Sequence, residues 1–161
     1  MHGPAERPGR PNARAPAIVL MVSGSLILGA LAFQFVGGMA PCPMCMWQRW
    51  GHLAAAGLAA LALLSGNRWL GLLSIMALAV AGGLGGWHAG VEQGWWPSPV
   101  GCGAQVDAGG STSDFLGQLM QAEVPRCDVI PWSFLGLSMA AWNAVISSCS
   151  ALVALVAWRK A

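Results

Sequence analysis

Apolar residues in this chain are gathered into four long runs that carry almost no charge. The first run covers residues 17–36 and contains no charged side chain. The other three cover about residues 45–64, 69–87 and 134–158. A helix needs about 20 apolar residues to cross the hydrocarbon core of a bilayer. The pattern therefore predicts an all-α membrane protein with a bundle of four transmembrane helices.

The composition indicates the same class of protein. Only 9% of the 161 residues are charged and 56% are hydrophobic, and the mean hydropathy is +0.59. A soluble domain of this length cannot bury so much apolar surface. We therefore expect one integral membrane domain over residues 1–161, in contact with membrane lipid. The net charge of +2 is too small to indicate nucleic acid as a partner.

The positions of the basic residues predict the orientation of the helices. Lysine and arginine prefer the cytoplasmic side of a membrane, and an even number of spans puts both termini on one side. We therefore expect residues 1–16 to form a cytoplasmic tail and the loops at about 37–44 and 88–133 to lie outside. An apolar run of about 20 residues favours an uncleaved first helix over a signal peptide. Six of the eight basic residues fall on the predicted cytoplasmic face: Arg7, Arg10, Arg14, Arg68, Arg159 and Lys160.

Four of the five cysteines fall on the outer side or at its membrane edge. Cysteines in an oxidising compartment tend to pair, and the local pairs are Cys42 with Cys45 and Cys102 with Cys127. The fifth, Cys149, falls inside the fourth span, where we expect a small buried apolar residue.

Three kinds of site compete for the four outer cysteines. A zinc site would favour two CxxC clips, whereas 24 residues separate Cys102 from Cys127. Haem attachment requires CxxCH, and Met46 follows Cys45 here. A disulfide within a CxxC closes so small a loop that it removes little entropy from the unfolded chain. A redox-active pair is therefore favoured, with a metal clip and a structural disulfide as the alternatives.

The stretch PCPMCMWQRWGH at 41–52 supports redox chemistry. Pro43 suits the first turn of a helix, and this places Cys45 near the positive helix end, which favours a thiolate. Arg49 and His52 follow Cys45 at i+4 and i+7, on the same helix face. An arginine at this depth indicates a functional site, with contact to lipid headgroups as the alternative. We expect His52 to be a structural interface residue.

The second outer loop divides into two parts. Residues 97–112 are rich in glycine, proline and small polar residues, so Cys102 should lie in a mobile segment. The stretch SDFLGQLMQAEVP at 113–125 places its apolar residues on one helical face. This pattern predicts a short periplasmic surface helix lying on the membrane.

Three stretches and one cysteine carry a resemblance to a known family: PCPMCMWQRW at 41–50, WHAGVEQGWWPSPVGC at 87–102, PWSFLGLSMAAWN at 131–143, and Cys127. They resemble the DsbB family, whose members are disulfide:quinone oxidoreductases of the bacterial inner membrane. The resemblance implies a redox enzyme with a quinone site at the outer end of a four-helix bundle, with ubiquinone or menaquinone as acceptor. It implies no metal. The partner would be a DsbA-like periplasmic thioredoxin-fold protein. A vitamin K epoxide reductase-like enzyme and a non-enzymatic membrane protein with structural disulfides or bound metal are the alternatives.

The resemblance also implies roles for individual residues. Reduced DsbA would attack a disulfide between Cys102 and Cys127, and Cys102 would form the mixed disulfide. Cys127 would then exchange with Cys42, and Cys45 would face the quinone. Arg49 matches the family arginine beside the quinone ring. Three more residues are placed in the quinone pocket by the resemblance: Leu84, His88 and Met139.

Overall fold

A computed structural model describes residues 13–99 and 126–160 of the chain. The predicted surface helix at 113–125 and Cys102 lie outside these ranges. The described part is mostly helical, as predicted. Its long elements are the helices α1 (Arg14–Phe35), α2 (Pro43–Ser65), α3 (Arg68–Glu92) and α4 (Met139–Arg159). A short antiparallel hairpin of β1 (Ser133–Phe134) and β2 (Leu137–Ser138) precedes α4.

Two helix boundaries differ from the hydropathy prediction. Helix α3 continues to Glu92, five residues beyond the predicted end of its apolar run. Helix α4 begins at Met139 because the hairpin occupies the predicted first turn. Leu135 and Gly136 at its tip have φ values of 52° and 77°, as a tight two-residue turn of type I′ requires. Ser138 then caps α4 by accepting a hydrogen bond from the backbone N–H of Ala141 at 3.1 Å.

Membrane-spanning character is strongest in three of the helices. Within the described ranges, α1, α3 and α4 are each long and apolar enough to cross a bilayer. Helix α2 has 23 residues and is not among them. Its first half holds Gln48, Arg49 and His52, so its polar groups are concentrated near one end of the bundle.

The four helices pack in chain order around the bundle, with α4 returning to contact α1. A tight turn joins α2 to α3, in which Gly66 takes a φ of 71° and Asn67 caps α3 by accepting a hydrogen bond from Trp69 N–H at 2.9 Å. This turn lies beside the C-terminus of α4, because Trp158 Nε1 donates to the Arg68 carbonyl at 2.9 Å. The opposite end of the bundle holds Cys42 and the hairpin.

Alanines make up most of the interior near the end of the bundle that holds Arg68. Many large apolar side chains, such as Met21, Leu64 and Val80, are exposed, as expected for helices surrounded by lipid. Close approach of helices through small side chains is the usual way in which membrane helices associate. The buried cluster consists of Ala15, Val19, Ala55, Ala59, Ile75, Leu78, Ala151 and Ala154.

Candidate active site

The first turn of α2 positions the CxxC pair. Cys42 is the N-cap residue, and its sulfur accepts a hydrogen bond from the backbone N–H of Cys45 at 3.2 Å. Pro43 follows at the first helical position, where its missing N–H costs nothing. The Cys42 and Cys45 sulfurs lie 2.7 Å apart. The hydrogen bond with Cys45 and burial raise the pKa of the Cys42 thiol.

A third cysteine and a histidine meet this pair from other parts of the chain. His88 Nε2, from α3, lies 3.7 Å from Cys42 Sγ and 3.2 Å from the carbonyl oxygen of Cys127. The sulfurs of Cys42 and Cys127 and a ring nitrogen of His88 all lie within 4.8 Å of one another, and all three residues are buried. By donor type they could ligate a metal, although a closed zinc site takes four protein ligands. The same closeness allows exchange between sulfurs.

A cavity of about 610 Å³ opens beside the cysteines, between α1, α2 and α4. Its volume falls within the range of about 300–1,000 Å³ that is typical of small-molecule sites. Most of its wall is apolar, with aromatic rings from Phe33, Trp132 and Trp142. Its polar lining includes Cys45, Arg49, His52 and His88, and Met139 stands at the start of α4.

The Arg49 side chain crosses from α2 to α1. Its Nη1 donates to the Gln34 side-chain oxygen, and its Nη2 donates to the Ala30 carbonyl at 3.1 Å. These two contacts fix the guanidinium at the cavity wall, one helical turn below Cys45. An arginine held in this way places a permanent positive charge beside an apolar cavity.

Comparison with known proteins identifies the family. The family model described as "Disulfide bond formation protein DsbB" matches residues 12–157 of this chain. The chain belongs to the DsbB family. Its members are membrane disulfide oxidoreductases. The resemblance and the enzyme class expected from the sequence are therefore confirmed. The alternatives, a vitamin K epoxide reductase-like enzyme and a non-enzymatic membrane protein, are set aside.

Similar members of the DsbB family come from several bacteria, and each is called disulfide bond formation protein B. The protein of Marinobacter nauticus is 35% identical over 150 residues, which are 81% of this chain and 82% of the relative. That of Albidiferax ferrireducens is 32% identical over 153 residues, covering 83% of this chain and 82% of the relative. That of Paracidovorax citrulli is 32% identical over 161 residues, covering 88% and 86%. No solved structure matches the chain significantly.

A buried polar network within this DsbB-family chain was missed by sequence reasoning. Gln48 and Asn143 lie between the two buried histidines and hydrogen bond to each other at 2.7 Å. Asn143 accepts from His52 Nε2 at 2.9 Å, and Gln48 contacts His88 Nδ1 at 2.9 Å. A polar residue inside an apolar span is itself a functional signal, and Asn143 in the run AAWNAV carries that signal. His52 joins α2 to α4 through its bond to Asn143, and its expected structural role stays a prediction.

The positions of Leu84 and Cys149 bear on two further expectations, and only the expected burial of Cys149 is wrong. Leu84 is half-buried and is not among the residues that line the cavity. The buried face of α3 at this level carries Gly85 and His88 instead. Cys149 is exposed on α4 rather than buried, because the buried face of that helix runs through Asn143 and Ser147.

An exposed ion pair flanks Cys127. Arg126 donates from Nε and Nη2 to the two carboxylate oxygens of Asp128, at 3.0 and 2.7 Å. These hydrogen bonds hold the pKa of Asp128 below its usual range. Both side chains are about half exposed, so the pair adds little to stability. It ties the residues on either side of Cys127 together.

Proposed function

We propose that this protein oxidises a DsbA-like periplasmic thioredoxin-fold protein and passes the electrons through two cysteine pairs to a membrane quinone. One observation carries the proposal. The Cys42–Cys45 pair stands at the wall of an apolar cavity that also holds Arg49, with the sulfur of Cys127 within 4.8 Å of Cys42 on the other side. The pair can therefore contact both a thiol donor and an apolar acceptor.

The first half of the reaction is thiol–disulfide exchange. A thiolate of the reduced partner attacks the Cys102–Cys127 disulfide at Cys102, which releases Cys127 as a thiolate. The second partner thiol then displaces Cys102, and the partner leaves oxidised. Cys127 attacks the Cys42–Cys45 disulfide at Cys42, so that Cys45 leaves as a thiolate. Attack by Cys102 on Cys127 releases Cys42, which restores the outer disulfide and leaves the inner pair reduced.

The second half returns the inner pair to its disulfide. A bound quinone supplies an acceptor for two electrons and two protons. Both cysteines line the cavity, and Cys42 is buried at the N-cap position. Cys45 would present its sulfur to that acceptor. Arg49 would stabilise the negative charge that moves away from Cys45, because its guanidinium is held at the cavity wall. Met139 and the aromatic rings would hold the ring of the acceptor by apolar contact.

The membrane arrangement follows from the two ends of the bundle. Arg14, Arg68 and Arg159 belong to the end opposite the cysteines, and the positive-inside rule places that end in the cytoplasm. We therefore infer four spans in a bacterial inner membrane, with both termini cytoplasmic and the loop containing Cys102 periplasmic. A surface helix at 113–125 and the use of either ubiquinone or menaquinone belong to the same proposal.

The test is quinone reduction by the purified protein in detergent. Reduced DsbA-like partner is mixed with ubiquinone-1 or menadione, and quinone absorbance is followed. We expect reduction by the wild type, none by Cys45→Ser, and a loss of about tenfold to hundredfold for Arg49→Ala, the range for a hydrogen bond to a charged group. Cys149→Ser serves as the matched control. A folded wild type that reduces neither quinone would overturn the proposal.

A further inference from the structure

A continuous line of buried hydrogen bonds connects the middle of the bundle to the cysteines. It starts at Ser23 on α1, whose hydroxyl lies 3.4 Å from His52 Nδ1. From His52 the line runs through Asn143 to Gln48 and then to His88. Ser147 adds a hydrogen bond from its hydroxyl to Asn143 Oδ1 at 2.7 Å. All four helices contribute a side chain, and within the described ranges every buried side-chain nitrogen and oxygen has a partner.

Backbone carbonyls determine which way the two amides point. A carbonyl oxygen can only accept a hydrogen bond. Asn143 Nδ2 lies 3.1 Å from the Ala81 carbonyl, and Gln48 Nε2 lies 3.3 Å from the Met44 carbonyl. Turning either amide over would set two acceptors against each other. The second N–H of Asn143 therefore goes to Gln48 Oε1, and the second N–H of Gln48 goes to His88.

The amide orientation in turn determines the tautomer of His88. Because Gln48 donates to it, Nδ1 of His88 must accept and carries no proton. A neutral imidazole then has its proton on Nε2. That N–H points toward the Cys127 carbonyl at 3.2 Å and Cys42 Sγ at 3.7 Å. The carboxylate oxygen of Glu92 lies farther away, at 4.0 Å from Nε2, beyond hydrogen-bonding distance.

We propose that Gln48 and Asn143 are positioning residues that hold His88 as the neutral Nε2–H tautomer, with its one N–H directed at the cysteine cluster. This inference rests on the proposed function. When attack at Cys127 breaks its bond to Cys42, the electron pair goes to Cys42, which leaves as a thiolate. The N–H of His88 stabilises that negative charge, since a thiolate accepts a hydrogen bond more strongly than a disulfide sulfur.

The resemblance to the DsbB family places His88 in the quinone pocket, whereas here its N–H is directed at the cysteine sulfurs. His88 belongs to the cavity wall, but its single N–H serves the sulfur that is exchanged between the two pairs. Because Nδ1 is already occupied by Gln48, the ring acts as a fixed hydrogen-bond donor and not as a proton carrier.

The test reads the tautomer directly by nitrogen-15 NMR of histidine-labelled protein in detergent. The chain has three histidines, and spectra of His2→Gln and His88→Asn variants assign their signals. We expect the proton of His88 on Nε2 in the wild type. Gln48→Glu replaces the donor with an acceptor, so we expect Nδ1 to become protonated. Gln48→Met removes the donor, so we expect a mixture of tautomers. A wild-type protein with the proton on Nδ1 would overturn the proposal.

The kinetic arm compares the same variants. We expect Gln48→Met to slow transfer from the outer to the inner cysteine pair about tenfold, the effect of losing one hydrogen bond in the transition state. Gln93→Met on the surface at the end of α3 is the matched control. An altered tautomer with an unchanged transfer rate would refute the positioning role. If Gln48→Met does not fold, the tautomer and the transfer rate of Gln48→Glu test the positioning role in its place.

The two arms also separate this inference from the function on which it rests. The NMR measurement requires neither partner nor quinone. A wild type that reduces no quinone overturns the function, whereas an active wild type with the proton of His88 on Nδ1 overturns only the positioning role.

Discussion

The two halves of the helix bundle use the same four helices for different purposes. In the half near Arg68, alanines such as Ala59 are completely buried, and the buried hydroxyl of Ser74 bonds to the Gly71 carbonyl of its own helix at 2.7 Å. In the half near Cys42, buried polar side chains bond across helices, as Asn143 of α4 does to Gln48 of α2. Close packing holds the first half together, whereas the second also has hydrogen bonds between the side chains of different helices.

This difference shows that buried polar side chains which bond between helices are concentrated in the outer half, near the cysteines. A polar side chain in an apolar bundle is expensive unless its hydrogen bonds are complete. In the outer half hydrogen bonds between side chains offset that cost, and the same bonds fix His88 and Arg49 beside the cysteines. In the inner half small side chains let the helices approach, which needs no polar group at all. Changes in the outer half should therefore affect activity, and changes in the inner half mainly stability.

The largest effect in the outer half is expected for Cys127→Ser. Without this sulfur the outer pair cannot pass electrons to Cys42, so partner-driven quinone reduction should fall more than about a hundredfold, to the background rate. Dithiothreitol can reach the Cys42–Cys45 pair through the cavity, so reduction driven by dithiothreitol should persist. Loss of both activities would mean that Cys127 supports the fold or the cavity and not the electron route.

A substitution at the contact between α3 and α4 should damage both fold and activity. A Cβ on Gly85 would lie 2.9 Å from the Ala140 carbonyl and 2.9 Å from Asn143 Nδ2. Gly85→Ala must therefore push α4 away, and we expect a loss of about 1–3 kcal/mol in stability with slower quinone reduction.

The control for this change lies two residues away on the same helix. A Cβ on Gly83 would meet nothing within 4 Å, so Gly83→Ala should be neutral or stabilising by up to about 1 kcal/mol. Unfolding in detergent measures both variants. Equal stability of the two would contradict the close approach at Gly85.

In the inner half, Ala59→Leu should separate stability from activity. The added carbons have no space at a fully buried site, so overpacking should cost about 1–3 kcal/mol. The folded fraction should keep the wild-type KM for quinone, because Ala59 lies in the inner cluster and not at the cavity. A raised KM would show that the two halves are coupled.

The smallest effect is expected for Cys149→Ser, which tests the lipid-facing surface. Cys149 is exposed on α4. The free energy of unfolding of the variant should therefore lie within about 0.5 kcal/mol of the wild-type value, and the variant should reduce quinone at the same rate. A lipid-soluble maleimide should label Cys149 in the folded wild type. Protection of this thiol until the protein unfolds would contradict its exposed position.

Much of the fold could be predicted because hydropathy and local signals are strong in this chain. The apolar runs predicted the helices α1 to α4, and α1 and α2 begin and end within three residues of the first two runs. Pro43 predicted the start of α2. The hairpin before α4 was missed because hydropathy does not distinguish the apolar residues Phe134 and Leu137 in a strand from the same residues in a helix.

The chain's own residues determined that this is an apolar helical protein with a redox-type CxxC and an arginine one turn beyond it. Those facts depend on composition and on spacing within single helices, both of which the sequence carries directly. Only the tertiary structure brought Cys127 to Cys42 and placed Gln48 between Asn143 and His88. These contacts join residues 40 to 95 positions apart, and their geometry is decided by how closely small residues such as Gly85 allow the helices to approach.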